Sequence, residues 1–190
     1  PAPAQYVDTP QRLNDFLRAM DESPVIAIDT EFVREKTYYP QLCLIQVAAE
    51  NSIWLIDTLV IEDLSSFFQA LCNPPSLKVF HAARQDLEIF FNETGRIPSP
   101  LFDTQIAAAL LGRPDQIAYA GLVAEFYAIE LDKSSSRTNW ARRPLSASQI
   151  EYAAADVRYL AGVKTKLEDE LIAKGRSEWP GEWRANPKPD

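Results

Sequence analysis

Two periods of apolar and polar positions alternate along the chain, and the points where one gives way to the other mark its elements. Leu13, Phe16, Leu17 and Met20 recur at helical spacing, after Thr9, which can cap, and Pro10, which suits a first turn. Pro24 leads into Val25-Ile26-Ala27-Ile28, a short apolar run typical of a strand covered on both faces. Leu42 to Ala48 and Ile53 to Ile56 are two more strands, and Glu50-Asn51-Ser52 between them is short enough for a hairpin. Leu64 to Leu71 is amphipathic and predicts a helix stopped by Asn73-Pro74-Pro75. Leu77 to Phe80 predicts a fourth strand, and Ala82 to Asn92 the helix after it.

The second half predicts helices. Phe102 to Leu111 is Ala-rich and stops at Gly112-Arg113-Pro114; Ile117 to Tyr127 forms another helix. Ser146 opens one long final helix, with Ile150, Ala153, Ala154, Val157, Leu160, Val163 and Leu167 on a broad face. Strands interleaved with helices predict an α/β domain with a mixed sheet. The domain is expected over 1–175, with a linker-like tail over 176–190 that includes Trp179-Pro180-Gly181 and Pro187-Lys188-Pro189.

Composition narrows the function classes. At 190 residues, 46% of them hydrophobic, the chain can build a core without disulfides or a structural metal. Cys43 and Cys72 lie in apolar runs and predict core residues of a reducing compartment. A single His excludes His-rich metal cages. No apolar run approaches the roughly 20 residues of a membrane span, so a soluble, cytoplasmic protein is expected. A net charge of −8 argues against bulk coating of nucleic acid. Yet Lys133, Arg137, Arg142 and Arg143 fall between 133 and 150 with no acid among them. The positive charge is concentrated there, and the rest of the chain stands near −12.

Three patterns could carry chemistry. Asp29-Thr30-Glu31 ends the first apolar strand, where alternation points both carboxylates to one face, a natural seat for Mg²⁺ or Mn²⁺. An Asp-x-Glu arises about once by chance in such a composition, and Asp86-Leu87-Glu88 repeats the spacing on a helix. Asp86, with His81, follows the fourth strand; it is either a third carboxylate at the strand tip or a first-turn acid favoured by the helix dipole. Tyr152 and Asp156, four apart, share one helix face, and the alanines between them allow close approach. Asp103, before a helix, reads as an N-cap and Asp57 as a strand-end residue. Jointly, the four acids Asp29, Glu31, Asp86 and Asp156 suit two cations about 3.5–4 Å apart, with Tyr152 orienting or deprotonating a water.

AIDTEFVREKTYYPQLCLIQ (27–46), VFHAARQDLEIF (79–90), LFDTQIAAALLGRP (101–114) and LDKSSSRTNWARRPLSASQIEYAAADVRYL (131–160) together resemble the ribonuclease D family, within the tyrosine-containing four-acid 3′-5′ exonucleases. The resemblance runs from about Tyr6 to Lys174. It implies a ribonuclease H-like fold with a mixed five-stranded sheet flanked by helices, and release of nucleoside 5′-monophosphates from RNA 3′ ends by two divalent metals. Precursor tRNA is the implied substrate, with no obligate protein partner. Carried over by position, the metal acids fall on Asp29, Glu31, Asp86 and Asp156 and the water-positioning residue on Tyr152. Substrate contacts are expected from Thr30, Phe32, His81, Lys133, Arg137 and Arg143. Asn139 stands where the family often has Asp. Long members continue into helical nucleic-acid-binding domains, which are not expected within these residues. A DNA-directed or short-oligonucleotide exonuclease on the same scaffold and a catalytically silent binding module remain as alternatives.

Overall fold

The computed structural model describes residues 3–34, 38–72 and 76–175. The helix stop at 73–75 and the tail at 176–190 lie outside the described residues. Thirteen elements follow in the order β1 (Ala4–Val7), α1 (Pro10–Asp21), β2 (Val25–Val33), β3 (Gln41–Ala49), β4 (Ser52–Asp57), α2 (Ser65–Leu71), β5 (Leu77–Phe80), α3 (Arg84–Thr94), β6 (Leu101–Asp103), α4 (Thr104–Leu110), α5 (Tyr119–Tyr127), α6 (Ala147–Arg158) and α7 (Leu160–Ala173).

The strands form one sheet in the order β1-β4-β3-β2-β5-β6. β3 runs antiparallel to β2 and β4, while β1–β4, β2–β5 and β5–β6 are parallel pairs. The sheet is mixed, as expected, but among the described residues it has six strands rather than five. The runs 4–7 and 101–103 are too short for period-2 alternation to register, and their edge pairing to β4 and β5 makes them strands. The Ala-rich run from Phe102 is therefore strand first and helix second, and Asp103 caps the helix by accepting from the amides of Gln105 and Ile106.

Two apolar layers cover the sheet. On one face α4–α7 pack Ala108, Leu122, Val123, Ala154, Val157 and Val163 against Ala27, Leu44 and Val79. On the other, α1–α3 pack Phe16, Phe67 and Phe90 against Ile26, Ile28 and Ile45. Both cysteines are buried and free.

The final helix differs from its expected form. It breaks at Tyr159 into α6 and α7. The Tyr159 amide does not continue the helical ladder; its acceptors are the Val157 carbonyl and the hydroxyl of Tyr119. A side chain inserted into the ladder is a regular cause of a helix kink. No helix among the described residues is long and apolar enough to cross a membrane.

Candidate active site

β2 sets the site. Alternation turns Asp29 and Glu31, with Ala27, toward α6, and turns Thr30, with Ile26 and Ile28, toward α1–α3. The β2–β3 register slips between Glu31 and Phe32, a bulge that leaves Cys43 unpaired beside the acids. α6 lies across β2, β3 and β4 and brings in the fourth side of the arrangement. Its start is secured by a capping box between Ser146 and Gln149. The Gln149 amide also donates to Thr138 Oγ1 at 3.0 Å, tying the helix to the basic loop.

One carboxylate oxygen each from Asp29, Glu31 and Asp156 lies within 4.8 Å of the others. Asp86, in the first turn of α3, is buried and approaches from the opposite face; its Oδ1 accepts from the Thr30 hydroxyl at 2.5 Å. It stands close enough to Asp29 for the two charges to interact. All four carboxyls hold their protons above the ordinary range. Burial and then the charge of Asp156 push Asp29 well up. Burial, followed by Asp29 and Asp156, raises Glu31 to about 10. Burial raises Asp156 to about 7 against the relief of hydrogen bonds with Asp29 and Glu31. Burial and Asp29 raise Asp86, while the Thr30 hydrogen bond works against them. Gathered like charges of this kind suit a hard divalent cation, which oxygen-only donors favour over softer metals. The donor set therefore fits Mg²⁺ or Mn²⁺.

A cavity of about 190 Å³ opens onto Asp29 and Asp156 and is lined by Ile28, His81, Tyr119, Tyr152 and Leu160 as well. Tyr152 sits one turn before Asp156, its ring 5.9 Å from that of Trp140. Burial, then the charges of Asp156 and Glu31, raises its phenol, which stays protonated at neutral pH and can donate a hydrogen bond.

The expected substrate contacts divide. Lys133 and Arg137 are exposed on the loop that precedes α6, and Lys133 borders an open groove of about 910 Å³ along α5 with Ala124 and Ile129. Arg143 is the correction. Its guanidinium grips Asp57 through Nε and Nη2 at 2.8 and 2.9 Å and donates to the carbonyls of Trp140, Arg142 and Cys43. A fork so fully engaged has no donor to offer a phosphate. Thr30 likewise faces away from the cavity, its hydroxyl held by Asp86. His81 borders the cavity, but its Nε2 donates to the Ile117 carbonyl at 2.8 Å and its Nδ1 pairs with Thr104 Oγ1 at 2.9 Å. Only its ring surface is available, and burial lowers its pKa. The half-buried Phe32 carries the Arg34 guanidinium 5.8 Å from its ring centre. Asn139 closes a turn by accepting from the Ala141 amide at 3.0 Å, a task an Asp performs equally.

Two residues of the site escaped the sequence reading. Gln46, opposite Asp29 on β3, is buried and donates weakly to Glu31 Oε1 at 3.4 Å, with its own Oε1 unpartnered. A lone amide inside the apolar run 42–48 was the available signal. Tyr119 offered no comparable signal, because its role depends on a contact with residues 36 and 40 positions away.

A family model described as a 3′-5′ exonuclease matches residues 4–172. The ribonuclease D of Granulibacter bethesdensis is 48% identical over 160 residues, covering 84% of this chain and 40% of that protein. The crystal structure of Escherichia coli RNase D, described as an exoribonuclease involved in structured RNA processing, superposes with a TM-score of 0.90 at 45% identity, covering 94% of this chain and 48% of that one. Brucella melitensis NrnC with bound Mg²⁺ superposes with a TM-score of 0.77 at 26% identity, over 95% of this chain and 87% of that one. The chain spans under half the length of the curated relatives it matches.

Proposed function

The chain belongs to the 3′-5′ exonuclease family, on its ribonuclease D branch, and from that membership we propose that it removes nucleoside 5′-monophosphates from RNA 3′ ends, precursor tRNA among them. The observation that supports this most is the convergence of Asp29, Glu31 and Asp156 within 4.8 Å, with Asp86 beside Asp29 and the Tyr152 phenol in the same cavity. A binding module gains nothing from gathering acids where phosphates must approach.

In this reading Asp29, Glu31, Asp86 and Asp156 hold two divalent ions, Mg²⁺ or Mn²⁺. Such ions, when bound, acidify water and offset charge on the phosphate and leaving oxygen. Tyr152 stays protonated and orients the attacking water through its hydroxyl rather than acting as a base. Thr30 orients Asp86, and Gln46 steadies Glu31. Lys133 and Arg137, on a chain of net negative charge, draw in the phosphate backbone.

The test is incubation with 5′-labelled and 3′-labelled single strands of RNA and DNA, with Mg²⁺ or EDTA. Mononucleotides released from RNA 3′ ends in Mg²⁺ alone are expected. DNA cleaved as fast as RNA would move the assignment to a general or DNA-directed exonuclease, and no cleavage of either would overturn it.

A further inference from the structure

Tyr119, at the first position of α5, lies where the cavity meets the final helix pair. Its hydroxyl donates to the Ala155 carbonyl at 2.8 Å and accepts from the Tyr159 amide at 3.2 Å. In an uninterrupted helix those two backbone groups would bond directly to each other, four residues apart. One phenol oxygen thus stands in for one rung of the ladder. The turn it opens runs from Ala155 to Tyr159, and Asp156 lies within it. The ring also borders the cavity shared by Asp29, Tyr152 and Asp156, and its centre lies 6.0 Å from that of His81.

We propose that Tyr119 is a positioning residue for the metal site, its hydroxyl holding open the α6–α7 turn so that Asp156 reaches Asp29 and Glu31. The helix on its own would close the rung and rotate that turn. The inserted hydroxyl satisfies both the Ala155 carbonyl and the Tyr159 amide while the axis bends, so neither of those backbone groups is left unpaired. Its electrostatics agree with this placement: burial, together with the charges of Asp156 and Asp29, keeps the phenol protonated and able to donate. The inference rests on the exonuclease reading for what the carboxylates hold, but the wedge itself is a matter of backbone geometry.

Tyr119→Phe keeps the ring and removes the oxygen. The freed rung can close from Tyr159 to Ala155, so the melting temperature of the metal-free protein should stay near that of the parent. Mn²⁺ affinity, measured by calorimetry without RNA, should fall about 10–100-fold, the usual effect of removing an outer support of a metal ligand. Turnover of RNA should fall at limiting Mg²⁺ and recover toward the parent rate at saturating Mg²⁺, with KM for RNA unchanged. A merely structural lesion would not be rescued by metal. Tyr119→Met, run in parallel, should lose affinity in the same way and provides a folded variant if phenylalanine packs badly. Parental Mn²⁺ affinity in a folded variant would overturn the proposal. A parent that binds Mn²⁺ but leaves RNA intact would count against the exonuclease reading and leave the affinity comparison to decide on Tyr119.

Discussion

The Thr30 hydroxyl donates to Asp86 Oδ1 at 2.5 Å, joining the residue between two site acids to the acid that reaches the site from the opposite face of the sheet. Without this bond Asp86 is a buried carboxylate beside Asp29 with one oxygen unsupported. Thr30→Val keeps the shape and removes the donor. It should lower metal affinity and turnover by roughly 10–100-fold, while Thr30→Ser should retain most of both. Calorimetric titration with Mn²⁺ and single-turnover cleavage measure the two effects. Equal affinity in all three proteins would reduce Thr30 to packing.

Metal-free stability should fall as pH rises. Asp156 is raised to about 7 and Glu31 to about 10, whereas both titrate near 4 in an unfolded chain. Between those values the folded protein binds more protons than the unfolded one, so the slope of stability against pH is negative. The contribution is complete below about pH 4 and is lost as pH rises through 7 and toward 10. In EDTA the melting temperature should therefore decline from pH 5 to pH 9. Mg²⁺ should flatten that decline, because the cation replaces the protons. Asp156→Asn should abolish activity yet melt at or above the parent at pH 8 in EDTA. A flat pH profile in EDTA would mean the carboxylates are not crowded in solution.

Tyr152→Phe removes the hydroxyl and retains the ring against Trp140. If the hydroxyl orients the attacking water, kcat should fall by about 10²-fold or more. KM should hold, since the group acts chiefly in the transition state. Because the phenol is raised, kcat should also show no downturn from its ionisation below pH 10. Pre-steady-state cleavage across pH checks both points.

Local pattern reaches only as far as its own period. Alternation placed Asp29 and Glu31 on one face, and helical spacing placed Tyr152 and Asp156 one turn apart; the structure has both arrangements. What local pattern cannot show is which distant group supplies the missing partner. The break at Tyr159 is made by a phenol 40 residues earlier. The engagement of Arg143 is decided by Asp57, 86 positions away. The sequence pattern puts Arg143 among the expected substrate contacts with Lys133 and Arg137; in the fold it is a brace. The two added strands, of four and three residues, are strands only because a neighbour pairs with them.

Arg143 should act through stability rather than affinity. Its partner Asp57 has a side chain only 3% exposed and also accepts from the Tyr6 hydroxyl at 2.6 Å. Burial alone would raise that carboxyl, but hydrogen bonds from Arg143 and Tyr6 outweigh it and hold it below the ordinary range. Arg143→Ala leaves a buried charge unpaired, at about 3 kcal/mol, the lower end because Arg143 is partly solvated. That corresponds to a drop of roughly 6–12 °C in a domain of this size. The salt dependence of RNA binding should be unchanged. A variant of parental stability that bound RNA with a shallower salt slope would return Arg143 to the substrate.

Lys133 should behave in the opposite way. It is exposed and borders the open groove along α5, on the loop that leads into the helix bearing Tyr152 and Asp156. With the rest of the chain near −10, the pair Lys133 and Arg137 is the expected local source of attraction for a phosphate backbone. Each phosphate neutralised releases condensed counterions, which makes affinity fall with salt. Lys133→Ala should raise KM for oligonucleotides and flatten that dependence by up to about one contact, a slope change near 0.7 for a single strand. Metal affinity and melting temperature should stay at parental values, because Lys133 stands outside the carboxylate cluster. Fluorescence titration with a labelled single-stranded RNA over a series of salt concentrations measures the slope directly. An unchanged slope in Lys133→Ala, with Arg137→Ala equally silent, would place the entry path of the RNA on another surface of the domain.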